Sequence, residues 1–242
     1  MQRQAKGVFA VTLAAAIAFA ILLSLGFWQL RRLEWKEGLL ADISERMAAA
    51  PKPIDEILTD PASADYRKAS ATGQYFHAGE RHFFATHDGR SGYFIYTPLE
   101  IAPGSFLFVN RGFVPFDRKD PATRREGQVE GTLTITGLAR AILDAKPSSL
   151  VPDNDPAGNV FYWKDIAAMQ ASAGLPANAK VLPLFLDADA APNPGGLPIG
   201  GVTILQLPNS HLSYAWTWFG LAGALAAVWA VFIWQRLRAA RP

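Results

Sequence analysis

One stretch of the sequence collects the residue types that hold a flat aromatic ligand: Pro208-Asn209-Ser210-His211-Leu212-Ser213-Tyr214-Ala215-Trp216-Thr217-Trp218-Phe219. Pro208 breaks what precedes it, and Asn209 or Ser210 can cap a helix that opens near His211. On that helix Tyr214, Ala215, Trp218 and Ala222 follow His211 at i+3, i+4, i+7 and i+11, so they share its face. An imidazole above small and aromatic residues offers one nitrogen to the iron of a heme. Arg31 and Arg32 follow the other apolar stretch at a similar depth, and a guanidinium matches the planar carboxylates of heme propionates. Chemistry alone leaves a second reading open. Interfacial His, Tyr and Trp suit headgroup depth, and an Arg beside a span often snorkels.

Elsewhere the search for chemistry is nearly empty. There is no GxSxG, HExxH or P-loop. His77, His82 and His87 stand five apart, an odd spacing that sends strand neighbours to opposite faces; they read as surface or hairpin residues. Asp153, Asp155 and Gly158 faintly suggest a calcium loop, but Ala157 and Lys164 stand where ligands belong. Asp187 and Asp189 read as solvated carboxylates. Zero Cys excludes a disulfide scaffold, a thiolate metal site and a cysteine nucleophile. Copper delivery is disfavoured for the same reason, since Met1, Met47 and Met169 are too scattered to substitute. With 23 Lys+Arg against 21 Asp+Glu the net charge is +2, which gives no basic patch for nucleic acid.

The elements that position these residues begin with two charge-free stretches, 7–28 and 212–235, in a chain of 242 residues that is 50% apolar. Gly7–Trp28 and Tyr214–Trp234 are each about long enough to cross a hydrocarbon core of roughly 30 Å. Trp216 and Trp218 lie near one end of the second span, and Trp229 and Trp234 near the other, as interfacial belts require. The first stretch reads as an uncleaved anchor, because its apolar run outlasts a signal-peptide core. Arg236, Arg238 and Arg241 follow the second span while residues 190–213 carry no Lys or Arg, so both termini are expected in the cytoplasm. Six residues before the first span leave no room for a mitochondrial presequence, which favours a bacterial inner membrane with a periplasmic domain. Ala10, Ala14 and Ala18, Gly220 and Ala224, and Ala222 and Ala226 form small-residue rows suited to close helix packing.

Between the spans, residues 29–210 form one domain. Leu33, Leu40, Ile43 and Met47 continue the first helix until Pro51 and Pro53, with Asp42 and Arg46 placed to pair. The period then changes to two. Residues 129–137 alternate as a half-wet strand; 80–87 and 92–101 flank a hairpin turn at 87–91; 105–109 read as a buried strand; 181–187 and 199–207 are further strands. One short helix is expected near 164–173, and polar loops at 117–127 and 144–160. The architecture expected is α+β: two transmembrane helices, 7–28 and 211–235, flanking a mainly antiparallel barrel- or sandwich-like extracytoplasmic domain.

Three segments then carry a resemblance. Gly26-Phe27-Trp28-Gln29-Leu30-Arg31-Arg32-Leu33-Glu34-Trp35-Lys36, Val109-Asn110-Arg111-Gly112-Phe113-Val114-Pro115 and the stretch from Asn209 to Phe219 resemble, in order, the first-span exit, a strand motif and the second-span entrance of the Surfeit-locus family of cytochrome c oxidase assembly factors. Phe113 stands where that family more often has Trp. Tyr66-Arg67, Gly73-Gln74-Tyr75 and Tyr96-Thr97-Pro98-Leu99 fall in the expected order, and the likeness runs from about residue 22 to 235. It implies a non-enzymatic, two-span protein that binds heme a and assists its insertion into the large oxidase subunit. It implies as partners that subunit, heme a synthesis machinery and the lipid bilayer. The family's heme-binding histidine maps to His211. Tyr214 and Trp218 beside it, with Arg31 and Arg32 as propionate partners, complete the expected site. Asn110 and Arg111 are expected to hold a strand or turn together. The alternative is a heme-free scaffold that stabilises an oxidase assembly intermediate.

Overall fold

The structure, a computed structural model, describes residues 2–203 and 209–239, without the side chains of 2–6 and 239. It divides into two compact units, residues 1–42 with 206–242, and residues 43–205.

The first unit holds α4 (His211–Ala239) and all but the last turns of α1 (Gln2–Ala48). Helix α1 runs unbroken past the first apolar stretch to the prolines expected to stop it. The best 18-residue windows of the two helices have mean hydropathies of 2.6 and 1.7, and the protein covers only 0% and 6% of them. Both are long and apolar enough to cross a membrane, and an uncovered apolar surface is what lipid would cover.

The second unit is built on seven strands: β1 (Lys52–Pro53), β2 (Lys68–Tyr75), β3 (Arg81–His87), β4 (Arg90–Ala102), β5 (Ser105–Pro115), β6 (Thr132–Ala141) and β7 (Lys180–Ala188). Their order is β1-β2-β6-β7-β5-β4-β3, and β2 also pairs with β4 through Gln74↔Glu100 and Tyr75↔Leu99. That extra pairing closes β2, β6, β7, β5 and β4 into a ring. The sheet is mainly antiparallel; β5–β7 and β1–β2 are parallel. Closure removes the open edges that a flat sheet would expose.

Alternation along each strand fills the ring. Ala69, Ala71, Tyr75, Leu99, Leu107, Val109, Ala139, Leu182, Leu184 and Leu186 form its buried interior, joined by Ile54 and Ile57 of α2 (Ile54–Ile57). Outside it, α3 (Ile166–Ser172) covers Tyr96, Phe108, Phe161 and Phe185 with Met169. The expected helix near 164–173 is therefore present, and Asp165 caps it by accepting from the Ala168 amide at 3.0 Å.

The hairpin forms as expected but with a tighter turn. His87 pairs with Arg90 across Asp88 and Gly89, whose φ angles of +49° and +74° suit a primed two-residue turn. Strand β6 starts at Thr132, later than expected, because Gly131 sits at φ +85°. Residues 199–203 are not a strand. Ile199 makes one bridge to Phe113, and Gly201 at φ +70° then turns the chain away; the remainder of that expected strand, 204–207, and Pro208 lie outside the described residues. Strand β2 was not expected from the sequence.

Candidate cofactor site at the helix pair

His211 opens α4, and its Nδ1 lies 2.7 Å from Oε1 of Gln29 on α1. With the amide oxygen as partner, Nδ1 must donate. The neutral imidazole then carries its free lone pair on Nε2. Gln29 is 9% exposed, so this polar contact is set inside the helix pair.

Close approach of the two backbones makes the contact reachable. Gly26 lies one turn before Gln29, and a Cβ there would fall 2.5 Å from the Phe219 ring. Phe27 meets the same ring edge-on with centroids 5.4 Å apart. Ala215 and Ala222 are each 1% exposed on the inner stripe of α4. Of the small-residue rows, Ala222–Ala226 faces α1, whereas Gly220–Ala224 and Ala10–Ala14 face outward. Toward the far end Trp229 Nε1 donates to Thr12 Oγ1 at 3.3 Å beside a cavity of about 320 Å³.

The other expected site residues are distributed around this contact. Trp218 is half-buried on the face of His211, and Tyr214 is 55% exposed beside it. Arg32 stacks on Trp35, with its guanidinium carbon 3.9 Å from the ring centroid. At about 100° per residue, Arg32 stands roughly 60° from Gln29 around α1 and Arg31 roughly 160°. Arg31 faces away, beside Phe27, Leu30 and Glu34. In the sequence Gln29 has no role of its own; it stands there only as one residue of the Gly26–Lys36 stretch that carries the family likeness.

The barrel unit buries two ionic clusters that spacing did not reveal. Glu80, 3% exposed, accepts a bidentate pair from Arg124 and lies 2.7 Å from His82 Nε2. Burial would raise the Glu80 carboxyl, but the hydrogen bonds from His82 and Arg124 bring it below its ordinary range. His82 is thus buried and paired, not a surface residue, because β3 turns it inward against Tyr93. His77 Nε2 donates to the Val129 carbonyl at 2.8 Å, and the three histidines do not converge.

Asp187 is likewise buried, contrary to the solvated reading. It accepts from Asn110 Nδ2 at 3.1 Å and Thr203 Oγ1 at 3.2 Å, with Arg140 and Lys164 within 4 Å. Burial lowers the Lys164 ammonium from its ordinary value and raises the Tyr96 phenol well above its own. Asn110 also accepts from the Gly112 amide at 3.1 Å and so ties β5 to β7, while Arg111 donates to the Gly127 carbonyl and ties β5 to a loop, in line with the expected holding role. Arg46 donates to the Asp65 carbonyl at 3.3 Å. Among the described residues no group of three or more His, Asp or Glu is placed to hold a metal ion.

Two long apolar helices and a closed sheet domain define a class: a barrel-bearing protein with two candidate membrane spans. Within it, residues 16–223 match the model of the SURF1 family. The chain is 33% identical over 226 residues to Surfeit locus protein 1 of Rattus norvegicus, covering 87% of this chain and 71% of the relative. It is 32% identical over 222 residues to Surfeit locus protein 1 of Homo sapiens, covering 85% and 71%. It is 34% identical over 229 residues to the SURF1-like protein of Drosophila melanogaster, covering 87% and 73%. The chain belongs to the SURF1 family.

Proposed function

We propose that this chain is a cytochrome c oxidase assembly factor that holds heme a at the helix pair and passes it to the large oxidase subunit. The observation that carries the reading is the His211–Gln29 contact of 2.7 Å. A histidine that ligates iron through one nitrogen is usually fixed by a hydrogen bond at the other. Gln29 fills that second position and leaves Nε2 as the ligand atom. Heme, the cargo, would supply an iron that accepts this lone pair and propionates that seek cations. Arg32, on the nearer side of α1, is the better placed propionate partner; Arg31 would meet a cargo only from the outer side. Trp218 and Tyr214 would lie along the macrocycle.

A single neutral ligand on a lipid-accessible helix pair favours lateral release over permanent retention. The reading assigns the chain no catalysis. Arg236 and Arg238 in the last turn of α4 favour a cytoplasmic C-terminus, hence a barrel domain on the periplasmic side.

The test is an absorption spectrum of the detergent-purified chain, co-expressed with a heme a synthesis pathway, beside its His211→Ala variant. A heme spectrum that is lost or strongly shifted in the variant is expected. A heme-free wild type, purified from membranes that contain heme a, would overturn the carrier reading in favour of a scaffold.

A further inference from the structure

The barrel unit has a polar cavity of its own. A pocket of about 410 Å³ lies between the 3₁₀ segment Pro121–Gly127 and the loop at Pro194–Leu197. Arg118 and Arg125 line it, Arg124 lies in its wall, and Glu126 is its one acidic lining residue. Among the described residues the Arg125 guanidinium meets no carboxylate, and Arg118 donates through Nη1 to the Thr123 carbonyl at 3.0 Å with one exposed carboxylate contact, Asp117 at 3.9 Å.

The protein behind this wall carries surplus positive charge. Arg111 and Arg124 are 2% and 5% exposed, yet among the described residues Glu80 is the only carboxylate bonded to either. Arg124 takes both Glu80 oxygens. Arg111 is left with the Gly127 carbonyl and the face of the Tyr75 ring, whose centroid lies 4.6 Å from its guanidinium carbon. Gly127 itself lines the pocket. Among the described residues, Arg111 Nη1 and the side-chain nitrogen Nε2 of Gln128, which follows Gly127, are buried donors with no acceptor. Burial lowers the affinity of Arg111 for its proton. Buried cations are normally compensated by anions, and guanidinium forks fit phosphate oxygens in pairs.

We propose that this pocket binds a phosphate group, with Arg118 and Arg125 as its direct donors and the buried arginines behind it supplying the field. The same chemistry comes from free phosphate, a monoester-like dianion, or from a phospholipid headgroup, a diester.

The test uses the full chain in phosphate-free maltoside detergent, titrated calorimetrically with inorganic phosphate and, separately, with glycerophosphoglycerol. Saturable binding is expected, weakened about tenfold or more by Arg118→Glu and by Arg125→Glu. Lys180→Glu, the same charge change on a distant exposed strand end, should leave it within about twofold. Tighter inorganic phosphate assigns the free anion, and tighter glycerophosphoglycerol assigns the headgroup. No saturable binding of either probe, or pocket variants no weaker than Lys180→Glu, would overturn the proposal. Thermal unfolding of each variant checks that the fold is retained.

Discussion

Replacing Glu80 by Gln removes the one carboxylate that compensates Arg124 inside the barrel unit. Both side chains are almost wholly buried, at 1% and 3% exposure, so solvent screens little of the loss. Gln keeps the volume and one acceptor oxygen but leaves Arg124 uncompensated, with His82 holding a weakened partner. Breaking a buried pair from one side costs about 3–5 kcal/mol, a large share of the roughly 5–15 kcal/mol that holds a domain. Arg124→Met should cost a similar amount. The double variant, with neither charge, should cost well below the sum, giving a coupling of about 2 kcal/mol or more. The assay is pulse proteolysis of the full chain in detergent across a urea series, reading survival of the barrel fragment. The pH dependence supplies an independent check. A carboxyl depressed in the folded state contributes stability above its unfolded pKa of about 4.3 and loses it as pH falls through the folded value. Wild type should therefore lose stability as pH drops below about 4, and Glu80→Gln should lack that component. A Glu80→Gln chain within about 1 kcal/mol of wild type, or a cycle without coupling, would refute the account of this cluster built on buried charge.

Burial pushes the Tyr75 phenol up to about 12 against an ordinary 10, with Arg111 partly opposing the shift. The folded state thus keeps a proton that the unfolded state loses, so stability should fall by about 3 kcal/mol as pH rises from 10 to 12. Tyr75→Phe should flatten that limb in alkaline denaturation. Gly26→Ala should weaken the helix pair by about 1–3 kcal/mol through overpacking against Phe219. Combining it with Phe219→Leu should recover most of the loss in detergent unfolding. If the carrier reading holds, Gln29→Ala should weaken heme affinity about 10–100-fold while keeping a heme spectrum, whereas His211→Ala removes the ligand; equal behaviour of the two would count against an orienting role for Gln29. Phe185→Ala, beneath α3, should cost about 3–5 kcal/mol, read as a lowered urea midpoint.

What the linear sequence determined on its own is whatever depends on near neighbours. Gly7–Trp28 and Tyr214–Trp234 announce themselves because a span is one long apolar run. The β3–β4 turn is legible in Asp88-Gly89, since few residues accept positive φ. Alternation identified β6, and an unbroken apolar run identified β5. His211 was legible as a candidate from its place in the first turn of an amphipathic start.

Strand β2 escaped notice because its inward residues are Ala69, Ala71 and Gly73, too small to make an apolar signal. They are small because the ring is tight there: a Cβ on Gly73 would collide with the Glu100 carbonyl of β4. Closure itself, through Tyr75↔Leu99, is a pairing of residues far apart in sequence that no local pattern encodes. The same holds for charge. Glu80, His82 and Asp187 look like ordinary surface residues until a 3₁₀ segment brings Arg124, and strands bring Asn110 and Arg140, to them, and only then does leaving water become tolerable. Gln29 belongs with these. Its amide is one polar residue among many in the sequence, and it orients His211 only because Gly26 lets two helices touch across a separation of 182 residues.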